Sequence, residues 1–199
     1  MTQKLLGNLS RGLIFVLSAP AGTGKTTLVQ KLCREFLCVE ASVSSTTRAP
    51  RAGEKEGFDY YFLSHEMFEK KIQEGDFLEY AEVFGQWYGT SSSQVQSIVD
   101  KGHHVILVID TQGALQLQKI NFSAVYIFIT PPSLEVLEDR LYKRQSEEIS
   151  KQKERLSWAE QEMKYVVLYD YLIVNDNIEV AYNVLRSILI AEENRVRKN

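Results

Sequence analysis

The stretch Leu13–Thr27, LIFVLSAPAGTGKTT, decides the fold. Residues 13 to 17 are consecutively apolar, the length of a buried strand, and a glycine-bearing turn then leads straight into a helical pattern that begins near Lys25. Ala19-Pro20-Ala21-Gly22-Thr23-Gly24-Lys25-Thr26 matches the phosphate-loop pattern G-x-x-x-x-G-K-[ST] except at its first position, where Ala19 replaces glycine. Gly22 and Gly24 let backbone N–H groups converge on phosphate oxygens, and the helix start adds unpaired donors and a partial positive charge. Lys25 offers a compact cation to the outer phosphates, and Thr26 a hydroxyl to Mg²⁺. The plain alternative is an ordinary glycine turn before a helix; the strand–turn–helix setting favours the nucleotide reading.

A chain of 199 residues suits one globular unit with a substantial core. Hydrophobic residues at 44% and charged residues at 25% exclude disordered and fibrous classes. A formal net charge of -3 argues against broad nucleic-acid binding, though a local cationic pocket remains open. Cys33 and Cys38, with no histidine nearby in sequence, make no zinc site and read as small apolar fillers in a reducing compartment. No apolar run has the length of a membrane span, and Met1 to Gly12 lacks a secretory h-region, so the expectation is a cytoplasmic protein with no membrane partner.

Outward from the loop, Leu28, Val29, Leu32, Phe36 and Leu37 recur at helical spacing. Residues 44 to 51, SSTTRAPR, bring two arginines around a proline in a hydroxyl-rich loop. They read equally as solvated cations or as a fork that holds a phosphate monoester. Residues 58 to 62 read as an aromatic strand, and Ser64 as the N-cap of a helix that Gly75 closes. Residues 44 to 90 together suggest a small β-rich insertion. Val105 to Ile109 predicts a second buried strand ending in Asp110, a carboxylate placed either to order the water shell of Mg²⁺ or to cap the next helix, roles that can coexist. Val125 to Ile129 and Tyr171 to Val174 are further core strands, and Ala181, Val184, Leu185, Ile188 and Leu189 form one stripe of a final helix. Residues 144 to 158, RQSEEISKQKERLSW, read as a solvated helix face or as a mobile lid carrying cations. Strands alternating with helices predict a mostly parallel sheet covered on both faces, with ligands at the carboxyl ends of the strands.

SAPAGTGKTT, SVSSTTRAPRAGEKEGFDYYF, FLEYAEVFGQWYGT, VIDTQGA, RLYKRQ and IVND, in that order, resemble the guanylate kinase family over almost the whole chain. The resemblance implies a three-layer α/β/α phosphate-loop fold with a mostly parallel central sheet, a small β-rich GMP-binding insertion and a helical lid. The core would take residues of about 1–43, 91–139 and 166–199, the insertion about 44–90 and the lid about 140–165. It implies transfer of the γ-phosphoryl group of ATP to GMP or dGMP with Mg²⁺, and no obligate protein partner. ATP falls to Ala19, Pro20, Ala21, Gly22, Thr23, Gly24, Lys25, Thr26 and Thr27, with Asn175 near the adenine. The GMP phosphate falls to Arg48, Arg51, Tyr60 and Tyr88, and the guanine ring to Ser44, Glu79 and Thr90. Asp110 serves GMP and, with Thr26, the metal. Arg140, Arg144 and Arg155 join Lys25 as transition-state cations.

Guanine presents N1–H and an exocyclic amine side by side, which one carboxylate accepts with two oxygens, whereas adenine would leave Glu79 unpaired. No general base is required, because the attacking oxygen already belongs to an ionised phosphate, and His65, His103 and His104 are expected at the surface. Val108 stands where the family commonly has an acidic residue, and is left out of the site. Two rivals remain: a guanylate-kinase-like binding module, opposed by the intact Gly22, Gly24, Lys25 and Thr26, and a kinase of another small acceptor, opposed by the arginine block and Glu79.

Overall fold

The computed structural model describes residues 3–143 and 149–196. The first strand, β1 (Ile14–Ser18), runs through the phosphate loop into α1 (Lys25–Glu35), and β2 (Val39–Ala41) follows. Next come β3 (Ser45–Thr46), β4 (Tyr61–Phe62), α2 (His65–Gln73), β5 (Phe77–Val83) and β6 (Gln86–Ser91). Then α3 (Ser92–Asp100), β7 (His104–Val108), α4 (Thr111–Lys119), β8 (Val125–Thr130) and α5 (Leu134–Lys143) alternate. The chain closes with α6 (Ile149–Met163), β9 (Tyr171–Val174) and α7 (Ile178–Glu193).

Among the described residues two sheets form. The larger has the order β2-β7-β1-β8-β9, with every pairing parallel. Its central strands are apolar at successive positions because both faces are covered. Phe15 and Leu17 point to the layer of α1 and α7, where Leu28, Leu32, Leu185 and Leu189 are buried. Val16, Val105 and Leu107 point to the opposite layer of α3 and α4, with Val95, Val99, Ala114 and Leu117. This is the predicted three-layer architecture. The smaller sheet has the order β4-β3-β6-β5, with β5 and β6 an antiparallel hairpin.

Four sequence expectations shift. Phe36 turns extended at φ −119 and ψ 104, so α1 stops before Leu37, which is 87% exposed instead of packed. The aromatic strand is confined to Tyr61 and Phe62: the amides of Phe58 and Asp59 bond the Lys55 carbonyl in a turn, and the Asp59 carboxylate accepts from the Lys55 N–H. On α7, Val184 is exposed and the buried stripe takes Tyr182 instead.

The fourth correction is the histidine expected at the surface. His104 opens β7 and is 0% exposed. Its Nδ1 accepts the Leu13 N–H at 3.0 Å, which leaves Nε2 as the donor to Glu193 Oε2 at 2.6 Å. The same carboxylate also accepts from the backbone of Gly7 and Asn8, so the pair ties the N-terminal segment to the last turn of α7. Burial raises the Glu193 carboxyl, but these hydrogen bonds outweigh it and hold the group below its ordinary range. His103 is partly exposed and paired with Glu40 at 2.6 Å, and His65 is exposed.

Candidate functional site

The phosphate loop, Asp110 and Asn175 all lie just past the carboxyl ends of parallel strands, β1, β7 and β9. In the loop, Gly22 and Gly24 both sit at φ 90, a conformation that side-chain-bearing residues rarely adopt. Gly24 is the N-cap residue of α1, where no side chain caps the helix and its first amides stay available to an anion. The loop is braced from within: the Thr23 hydroxyl donates to the Pro20 carbonyl at 2.8 Å. It is braced from behind as well, because buried Asn175 donates Nδ2–H to the Thr23 carbonyl at 2.6 Å. A Cβ on Gly24 would come within 2.7 Å of that amide. Lys25 Nζ donates to the Ala19 and Pro20 carbonyls, arching over the loop, while Thr26 and Thr27 stand exposed in the first helical turn. Arg140 Nη1 bonds the Asn175 carbonyl at 2.9 Å, tying α5 to the same support.

The small sheet carries the other group of candidates. Glu79 on β5 is 5% exposed and accepts the Thr90 hydroxyl at 2.6 Å from β6. Burial pushes its carboxyl up to about 7, against the Thr90 bond, and the negative Asp110 adds to the rise. Arg48 Nη2 donates to both Glu54 carboxylate oxygens, at 2.8 and 3.0 Å, and the guanidinium lies 5.3 Å from the Tyr60 ring centre. Tyr60 and Tyr88 meet edge to face at 5.9 Å, so the predicted phosphate ligands Arg48, Tyr60 and Tyr88 form one cluster. Arg51 joins through its backbone, donating to Glu54 Oε2 at 2.7 Å. Ser44 holds the sheet edge, its carbonyl accepting the Tyr61 N–H at 2.9 Å.

Asp110 stands between the two groups. It is the N-cap of α4, with Oδ1 accepting the Gly113 N–H at 2.9 Å, so the capping reading is realised. Burial raises its carboxyl, partly offset by hydrogen bonds from Gly113 and Gln112 and by the nearby charge of Lys25. A second buried acid stands in reach of the same charges: Glu162 on α6 is 5% exposed, and burial pushes it to about 7 while Lys25 draws it down and Asp110 adds. The end of α6 is seated at the carboxyl end of β8 by Met163, whose Sδ accepts from the Thr130 hydroxyl.

A family model described as guanylate kinase matches residues 11–192. The chain belongs to the guanylate kinase family. It is 54% identical to a guanylate kinase of Protochlamydia amoebophila over 192 residues, 96% of this chain and 97% of that protein. A guanylate kinase of Chlamydia trachomatis serovar D is 50% identical over 184 residues, 92% and 89% of the two chains. Among solved structures, a guanylate kinase of Anaplasma phagocytophilum superposes with a TM-score of 0.76 at 40% identity, covering 94% of this chain and 88% of its own. Membership in the guanylate kinase family makes the protein an enzyme of the nucleoside monophosphate kinase class.

Residues 19 to 27, Asn175, Arg140 and Asp110 are thus brought together at the carboxyl end of the large sheet, and Arg48, Tyr60, Tyr88, Glu79 and Thr90 on the small sheet and its β3–β4 loop. Arg155 is elsewhere: it lies over the Phe84 ring at 5.8 Å, and Phe84 also packs on Trp158 at 5.6 Å, so α6 touches the tip of the β5–β6 hairpin. Arg144 falls outside the described residues. Asn175 faces the Thr23 carbonyl, which makes it a brace for the loop. Val108 is half-buried against the core on the α1 side. Glu54, Gly113 and Glu162 were missed by sequence reasoning. The E of the GExxG run was the available signal for Glu54; Glu162 lay inside a helix whose polar face reads as solvated.

Proposed function

We propose that the protein transfers the γ-phosphoryl group of ATP to GMP or dGMP, giving ADP and GDP, in purine nucleotide metabolism. The observation that carries this reading is the placement of Glu79. A buried carboxylate on the small sheet meets the first turn of α4, and the cap of that turn, Asp110, lies within the field of the phosphate-loop lysine. Asp110 therefore feels the charge of both groups, which supports reading Glu79 as the base-reading acid and Lys25 as the phosphate-binding cation of one site.

In this reading Glu79 accepts N1–H and the exocyclic amine of guanine, with Thr90 and Ser44 beside it. Arg48, Arg51, Tyr60 and Tyr88 donate to the GMP phosphate, and Glu54 presents the Arg48 fork in a fixed orientation. Residues 19–27 wrap the ATP phosphates, and Lys25 exchanges its carbonyl partners for phosphate oxygens. Arg140, Arg144 and Arg155 add cations from the 140–165 lid over a core of about 1–43, 91–139 and 166–199 and an insertion of about 44–90. The GMP phosphate is already ionised when it attacks, so the side chains align and neutralise and no proton is removed.

The Thr26 hydroxyl and the Asp110 carboxylate are hard oxygen donors that suit Mg²⁺. Among the described residues no cluster of three or more His, Cys, Asp or Glu side chains is placed to hold a metal. The chemistry that Mg²⁺ supplies there is neutralisation of charge on the terminal phosphates. No helix of the described residues is long and apolar enough to cross a membrane. The proposed reaction takes the small-molecule substrates ATP and GMP, and such a reaction belongs in the cytoplasm. A coupled assay with ATP and Mg²⁺ tests the reading: turnover with GMP and dGMP and little with AMP or UMP is expected, and comparable turnover of AMP would overturn it.

A further inference from the structure

Gly113 lies in the first turn of α4, a place where glycine weakens a helix, and its φ is not in the left-handed region that would call for glycine. What excludes a side chain is a residue of the other sheet. A Cβ built on Gly113 would overlap Glu79 Oε2 and stand 2.9 Å from Glu79 Cδ, with Ile109 Cδ1 at 3.4 Å. Both partners are held, and the Glu79 side chain, held by fewer bonds than the helix, is the one that yields. Glu79 Oε1 is held by the Thr90 hydroxyl at 2.6 Å. The helix is fastened to the β5 main chain on both sides of Gly113. Gln112 Nε2 donates to the Glu82 carbonyl at 3.0 Å, and Gln116 both donates to the Tyr80 carbonyl at 2.7 Å and accepts its N–H at 3.3 Å. On its other side the Gly113 N–H meets Asp110 Oδ1.

We propose that Gly113 is a specificity-determining positioning residue: its missing side chain is the space in which the Glu79 carboxylate is held for the purine base of the acceptor. The inference rests on the reading of Glu79 as the base-reading acid. Any side chain at position 113 pushes that carboxylate out of line while leaving the phosphate loop untouched. Because the obstacle is a side chain and not backbone, and alanine is the better helix former, the fold is expected to survive the substitution unless the Glu79 carboxylate cannot move aside.

The test is Gly113→Ala in the full chain, with steady-state kinetics for each substrate and a thermal melt. We expect KM for GMP to rise by about 30-fold or more, the preference for GMP over AMP to fall by about tenfold or more, and KM for ATP to stay within about threefold. A merely structural role would shift both substrates together. Glu79→Asp retracts the carboxylate by one methylene, so its cost in the Gly113→Ala background should be smaller than in the wild type. A Gly113→Ala protein that fails to fold while Gly113→Ala/Glu79→Asp folds supports the proposal. A folded variant with unchanged KM for GMP and unchanged selectivity overturns it, as does failure of both proteins to fold. Glu79→Gln, run in parallel, separates the two layers: if it keeps the GMP preference, the guanine reading itself falls. If Glu79→Gln loses the preference and Gly113→Ala keeps it, only the role of Gly113 falls.

Discussion

In the proposed reading, the donor side of the site presents main-chain N–H groups, in a loop whose shape is set by two glycines at φ 90 and braced by Asn175. The acceptor side presents side chains, and its charged ones already have protein partners: Arg48 has Glu54 and Glu79 has Thr90. A backbone cradle binds phosphate through geometry that every phosphate shares, so it confers affinity and alignment with little selectivity. A pocket of buried, paired side chains can discriminate, because a wrong ligand leaves a desolvated group unmatched. Selectivity is therefore expected to fail on the small sheet and catalysis to fail at the loop.

The sharpest way to break that contrast is at Lys25. Lys25→Ala removes the one side-chain cation in the first turn of the loop helix and touches no core packing. The expected result is a loss of about 10³-fold or more in kcat with the melting temperature nearly unchanged. Turnover near that of the wild type in a coupled assay would mean that backbone contacts alone align the phosphates. Glu79→Gln is the counterpart on the acceptor side. It replaces one acceptor oxygen with a donor and should erode the GMP-over-AMP preference by about 10²-fold or more while leaving KM for ATP alone. A loss that fell on ATP would place the selectivity in the wrong half.

A smaller effect sharpens the donor side. Asn175→Ala removes the 2.6 Å bond to the Thr23 carbonyl, which leaves a buried acceptor unmatched. A lost buried hydrogen bond costs about 1–3 kcal/mol, so KM for ATP should rise by roughly five- to a hundredfold while KM for GMP holds. If Asn175 instead touches the nucleotide base directly, the change would depend on the base, and comparison of ATP with GTP as donor distinguishes the two roles.

The same contrast explains what the chain revealed before folding. The loop was legible because its chemistry is local: strand, turn and helix are contiguous from Ile14 to Glu35, and glycines mark where backbone must bend. The parallel sheet was legible from apolar strands alternating with helices. Side-chain sites are assembled across sequence distance and left weaker traces. Only the family pattern pointed to Glu79. Gly113 carried no signal beyond its place in the VIDTQGA pattern, since its reason lies 34 positions away in Glu79 Oε2. From the sequence His104 is expected at the surface because the reaction requires no general base, and nothing local shows its partner Glu193, which enters from the far end of the chain.

The mildest expected effect is on stability against pH, and it too separates the halves. Glu79 and Glu162 are buried carboxyls whose values in the folded protein are raised from 4.5 to about 7. Each therefore binds more proton folded than unfolded between those two values. Such a group adds stability at acid pH and loses it as the pH climbs through about 7. From pH 8 to pH 6 each contributes at most about 1.4 kcal/mol, and a chain of this size gains roughly 2–4 °C per kcal/mol. Glu35 and Glu54, held below their ordinary range chiefly by Tyr182 and Arg48, stay ionised in both states over that window and add no slope. The ligand-free protein should thus melt several degrees higher at pH 6 than the other groups alone allow. Glu79→Gln and Glu162→Gln should each remove about half of that increment, and Arg48, which faces Glu54 and not Glu79, should leave it intact when changed to lysine. A melting profile in Glu79→Gln that keeps the full acid-side gain would show that Glu79 is ionised in the folded protein well below pH 7. The low-dielectric pocket that gives it discriminating power would then be absent, and the division between a cradle that aligns and a pocket that selects would lose its physical basis.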